Sequence, residues 1–162
     1  MSIKNKQTEG YAFISSIPNG ELTVKVSKYL ESLFCSNATY SKFRSKHIPS
    51  TSLEVYFQRI LQFVEPPHVL LVCIIYAKRC SQRQFLDAFS VHRFCLACVL
   101  IASKVFSDRY LTNRVCAKIG GISNKEINSL ELQLLLMLSF NVQIDLSEFE
   151  RTAKILEEFI QS

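Results

Sequence analysis

Two apolar runs of helical length, each carrying a single charge, restrict this chain more than any other feature. They are FCLACVLIA at 94–102, followed by Lys104, and LELQLLLML at 130–138, which contains Glu131. A helix that is apolar on every side is normally buried, because it keeps no face for water. An unpaired charge on such a helix costs several kcal/mol, so each of the two needs a partner. From spacing alone that partner is either the other charge or a group on a second molecule, and the choice decides what the chain is for.

The rest of the sequence fixes the setting. With 162 residues, 48% of them apolar, the chain is long enough for one domain with a real core and has little room for a second. A charged fraction of 20% and a positive mean hydropathy argue against disorder. No apolar run reaches the ~18 residues that span a bilayer, so a soluble chain without a membrane partner is expected. The opening MSIKNKQTEGYAF lacks an apolar stretch followed by a small-residue cleavage site. No secretion signal is therefore expected, which points to the nucleus, the cytoplasm or both. In that setting Cys73, Cys95, Cys98 and Cys116, inside or beside apolar runs, read as reduced, buried thiols.

Periodicity and caps divide the chain into helices. The first 20 residues are polar, with turn formers at Pro18-Asn19-Gly20, and read as a flexible lead-in. Residues 21–50 read as a helix over 21–34 followed by a basic loop, SNATYSKFRSKHIP, in which Lys42, Arg44 and Lys46 alternate as on a solvated surface. Thr51-Ser-Leu-Glu54 has the form of a capping box and opens a helix over about 52–64. Glu65-Pro66-Pro67 ends it and starts another, about 67–82, carrying VLLVCIIYA. Ser90 and Thr112 read as N-caps of the third and fourth helices. Gly120-Gly121 supplies the positive φ at the end of the fourth, and Ser123-Asn-Lys-Glu126 caps a fifth through about Ser139. Asp145 opens a last amphipathic helix over 143–162. The class is all-α, with five core helices over 51–142, one before and one after.

Those motifs, taken in order, resemble the cyclin box, and most closely that of the P/U-type, or PHO-like, cyclins. They are VHRF (91–94), ASKVFSD (102–108), NRVCAKIGGI (113–122), EINSLE (126–131), FNV (140–142) and EFE (148–150). The family signature NxxYAKxGGI followed by ELNxLE appears here as NRVCAKIGGI with EINSLE, with Cys116 in place of tyrosine and Ile127 in place of leucine. The resemblance implies a five-helix cyclin fold and a regulatory subunit that binds and activates a cyclin-dependent protein kinase, in cell-cycle or nutrient and phosphate signalling. It further implies that Lys104 and Glu131 hydrogen-bond kinase backbone near the start of the regulatory C-helix. Ile101, Val105, Leu135, Phe140 and Val142 match positions that pack against that helix, and Asp108 matches an acidic position able to meet an arginine near the activation loop. In such a contact apolar anchors supply the energy, and the desolvated polar pair fixes register and orientation.

The chain departs from the wider cyclin pattern at two further places. Where cyclins commonly read YxDR in the second helix it has IYAKRC, with Lys78 before Arg79, which puts an internal Arg–Asp bridge there in doubt. It also lacks tryptophan and the MRxIL-type pattern, so substrate docking by that route is not assumed.

Other chemistries are less well supported. Residues 66–125 hold nine Lys/Arg against two acids, a net +7 in a chain of +5, which would suit a cyclin-like scaffold in transcription that binds DNA and protein. Solvation is the commoner fate of such charges, and no nucleic-acid partner is expected. His92, Cys95 and Cys98 stand at i, i+3 and i+6, but a zinc site wants a fourth ligand and there is no second CxxC. No glycine-rich phosphate loop is present, and neither His47, His68 and His92 nor any nucleophile signature marks a catalytic pair. The expectation is a monomeric free chain with no metal, no cofactor and no enzyme activity of its own.

Overall fold

Nine consecutive apolar residues cannot stop at a protein's edge, and the run VLLVCIIYA accordingly forms a helix walled in on every side. The computed structural model describes residues 9–64 and 69–161, with side chains from residue 12 onward. Within it, Val69 to Ala77 are all buried in the helix Val69–Arg79. In chain order the helices are α1 (Glu9–Ser16), α2 (Asn19–Ser32), α3 (Leu53–Leu61), α4 (Val69–Arg79), α5 (Val91–Phe106), α6 (Asn113–Gly120), α7 (Asn124–Met137) and α8 (Leu146–Gln161). A single 3₁₀ turn, Ser81–Arg83, follows α4, and no strand occurs among the described residues. The fold is all-helical, as expected of a cyclin box.

Two helices carry the packing. α5 touches α3, α4, α6 and α7, while α4 touches α2, α5 and α8. Burying α5 leaves few polar groups to satisfy: the Ser103 hydroxyl accepts from the Leu111 amide at 2.7 Å, closing the loop beyond the helix, while the buried His92 Nδ1 makes no hydrogen bond. His92 Nε2 lies 2.7 Å from the Thr51 carbonyl and its ring meets Tyr56 edge-on, so this side chain is occupied in the packing rather than aimed at Cys95 and Cys98. All six cysteines are free and five are buried. Burial pushes the Cys95 and Cys98 thiols well above the usual range and Cys116 up to about 12, which keeps them protonated and inert.

Several sequence readings shift. Residues 9–16 are no loose lead-in: α1 packs on α8, and Ile14 is only 1% exposed. The helix is only eight residues long, too short to hold itself together, and its stabilising partner lies over a hundred residues away. The cap of α3 is Ser52, which accepts from the Val55 amide, one residue later than Thr51. Ser90 gives no cap hydrogen bond; its hydroxyl donates to the Phe85 carbonyl and accepts from the Asp87 amide. The basic loop is anchored rather than merely solvated. Phe43 is fully buried against Phe85 and Phe94, Arg44 pairs with Asp87 at 3.1 Å, and the Ser45 amide donates to the Phe89 carbonyl. The expected Pro66-Pro67 junction lies outside the described residues.

Thr112 and Ser123 do cap α6 and α7, accepting from the Val115 and Glu126 amides, and Gly121 turns the chain between them with φ +66°. Its neighbour Gly120 is needed for a different reason. A Cβ there would lie 2.3 Å from Leu96 Cδ2 and 3.2 Å from the Tyr56 hydroxyl, and Leu96 is itself 1% exposed with nowhere to move. Gly120→Ala is therefore expected to destabilise the fold by about 1–3 kcal/mol despite alanine's better helix propensity, as measured by urea unfolding. An unchanged or raised midpoint would contradict this packing.

Candidate functional site

The caps that align α6 and α7 beside the end of α5 also assemble a polar cluster. Lys104, in the last turn of α5, places its Nζ 2.8 Å from Glu131 on α7 and 2.6 Å from Asn113 Oδ1 at the first residue of α6. Asn113 in turn donates from Nδ2 to Asn128 Oδ1 at 2.7 Å. The two charges thus answer each other within one chain, and the two bonds use two of the ammonium's three donors. The pair is not sealed in: the side chains are 34% and 20% exposed, so a docking molecule could still reach both.

Around this cluster the surface is apolar. The α7 run is not buried all round, as its composition suggested, because Ile127, Leu130, Leu134, Met137 and Leu138 face the core and the rest of the run does not. Leu132, Leu136 and Phe140, each four residues from the last, are 50%, 52% and 61% exposed. Val105, Leu135 and Val142 are partly buried beside them. Ile101 departs from the expected set: it is 3% exposed and belongs to the core, supporting the surface from beneath without offering area to a partner. Leu132, Leu136 and Asn128 were not among the expected site residues. Their signal was there, since a helix with leucine on every face must expose some of it unless fully enclosed. Single exposed leucines are ordinary; three large apolar side chains at four-residue spacing form a row.

Phe140 owes its exposure to backbone geometry. Ser139 and Phe140 both lie in the left-handed region, with φ of 51° and 58°, where an L residue costs roughly 1–2 kcal/mol. The Phe140 amide donates to the Leu135 carbonyl at 2.8 Å, closing the end of α7 and turning the ring outward. Asp108 lies in the exposed loop beyond α5.

Three of the nine basic residues in the middle of the chain are paired from within. Arg79 pairs with Glu148 at 2.6 Å, Arg93 with Glu126 at 2.8 Å and Lys104 with Glu131 at 2.8 Å. All three acids come from beyond residue 125, so the basic segment is complementary to the chain's own C-terminal third. An open cavity of about 870 Å³ is lined by Arg44, Arg59, Arg93 and Glu126, of which Arg44 pairs with Asp87 and Arg93 with Glu126.

Comparison with known proteins agrees with this geometry. A family model described as Cyclin matches residues 7–142. The chain is 36% identical over 119 residues to the PHO85 cyclin-like protein psl1 of Schizosaccharomyces pombe, covering 70% of this chain and 49% of that one. It is 32% identical over 123 residues to Cyclin-U1-1 of Arabidopsis thaliana, covering 74% and 59% respectively. It is 29% identical over 132 residues to PHO85 cyclin-7 of Saccharomyces cerevisiae, covering 72% and 46%. The chain spans about half the length of the curated relatives it matches.

A part-exposed ion pair contributes little to folding, about 0–1 kcal/mol. A double-mutant cycle in urea unfolding with Lys104→Met and Glu131→Gln is accordingly expected to give a coupling below about 1 kcal/mol. A coupling of about 3 kcal/mol or more, the scale of a buried pair, would make it a structural element instead.

Proposed function

This chain belongs to the cyclin family, and on that footing we propose that it is the regulatory subunit of a cyclin-dependent protein kinase. The observation that carries the proposal is a half-exposed Lys104–Glu131 pair set in a row of exposed apolar side chains, Leu132, Leu136 and Phe140. A free surface gains nothing from that arrangement. A partner helix laid across it would bury the apolar row, and its end-of-helix amides and carbonyls would complete the lysine and glutamate. Held there, the kinase C-helix keeps its glutamate turned inward, towards the lysine that grips the ATP phosphates. Val105, Leu135 and Val142 would widen the contact, and Asp108, in the loop beyond α5, would meet an arginine near the activation loop, where its charge would act as a phosphate's does.

Two of the relatives are named PHO85 cyclins, which supports a partner of that kind and a role in cell-cycle or nutrient and phosphate signalling. The chain itself is then a regulator and not a catalyst. A nucleic-acid scaffold has less support, because the relatives are cyclins by name and three of the segment's basic residues are already paired within the chain.

Truncating or reversing one member of a desolvated, hydrogen-bonded charge pair typically costs 2–5 kcal/mol of binding. Affinity capture from the native cell extract should therefore retain a kinase on wild type and lose it on Lys104→Glu and Glu131→Ala, with helical CD unchanged. The purified pair should weaken by about 30-fold or more. Equal retention by all three proteins would count against the contact.

A further inference from the structure

The link from the end of α7 to the start of α8, residues 138–145, is tied down by side chains of α4. The buried Tyr76 hydroxyl donates to the Val142 carbonyl at 2.7 Å. Arg79 donates to the Asn141 carbonyl at 2.7 Å and to the Gln143 carbonyl at 2.9 Å. Three successive carbonyls are thus held from one helix. The guanidinium is itself braced by Glu148 of α8 at 2.6 Å, in a pair whose side chains are only 19% and 28% exposed. An arginine suits this place because a planar fork can serve two carbonyls and a carboxylate at once, which an ammonium on a flexible stem cannot do as well. The neighbouring Lys78 has another use and lies over the Tyr29 ring at 5.2 Å.

Directly before these carbonyls stand Ser139 and Phe140, both left-handed. Such a backbone persists only where its surroundings over-determine it. The Phe140 ring, 61% exposed, contributes little of that constraint. What remains is the closure of α7 on one side and the clamped carbonyls on the other.

We propose that Arg79, braced by Glu148 and assisted by Tyr76, is a positioning residue that fixes the pose in which Phe140 and Val142 meet the kinase. This rests on the reading of that face as the kinase contact. Arg79 acts through the link: its nitrogens are turned to the link's carbonyls and to Glu148. Fixing the turn before docking spares the complex the cost of ordering it, so loosening the clamp lowers affinity without removing any contact atom.

The test uses the full chain as wild type, Arg79→Lys, Phe140→Ala and the double variant. Affinity for the purified partner kinase is expected to fall about tenfold with Arg79→Lys in the wild-type background and by only about two- to threefold in the Phe140→Ala background, where Val142 alone is left to position. Equal losses in both backgrounds would overturn the proposal. Amide hydrogen exchange in the absence of kinase is expected to quicken at Phe140, Asn141 and Val142 by about tenfold or more while α5 is unchanged. No change at the link, or a uniform rise through α4 and α5, would also overturn it. If Arg79→Lys fails to fold, Glu148→Gln, which weakens the brace alone, is expected to show the same local quickening in smaller measure, and its absence counts against the clamp. If wild type binds no kinase, the proposed function fails, while the exchange measurement still decides whether Arg79 holds the link.

Discussion

Ten consecutive residues of α5, Phe94 to Ser103, are buried, and a helix enclosed to that degree dictates what must surround it. Four other helices close around it, and the enclosure ends where the first charge appears, at Lys104. That lysine emerges beside Glu131 because α6 and α7 are stopped and started by Thr112, Gly121 and Ser123, each a local device of hydroxyl or positive φ. The site is therefore a by-product of the core's edge. Apolar side chains that could not be enclosed by one chain are left standing next to the first ionic groups able to face water.

The same feature separates fold from function in energetic terms. The buried faces of α4 and α5 hold the bundle together, at roughly 25 cal/mol for each square ångström of apolar surface removed from water. The Lys104–Glu131 pair adds little to that, being open to solvent on one side. On the proposed reading its value lies in binding, where a docking helix would exclude the water that now screens it. The left-handed Ser139 and Phe140 belong to the same division. They cost the free chain something and return nothing to its core, as expected of a strained turn kept for recognition.

What could be read from the sequence was whatever is decided locally. Thr112, Ser123 and Asp145 act within three residues of themselves, and all three accept the expected backbone amides. The long apolar runs of α4 and α5 announce burial by composition alone. Features decided at a distance were not legible. α1 depends on α8, Phe43 depends on Phe85 and Phe94, and Ser90 spends its hydroxyl on a loop instead of a cap. Ile101 shows the limit most plainly, since family pattern put it at the contact while packing put it 3% exposed in the core. Leu132 and Leu136 show the reverse: they look like core residues in the sequence and stand on the surface because one side of α7 is left uncovered.

The central claim is that Lys104 and Glu131 are read by another protein's main chain as well as by each other. The exchanged variant, Lys104→Glu with Glu131→Lys, tests it most directly, because it can rebuild the internal pair while interchanging donor and acceptor towards a partner. The account predicts an unfolding free energy within about 1 kcal/mol of wild type together with kinase affinity that stays as low as in the single variants. Affinity restored to the wild-type level would contradict it, and would show that the two charges need only one another.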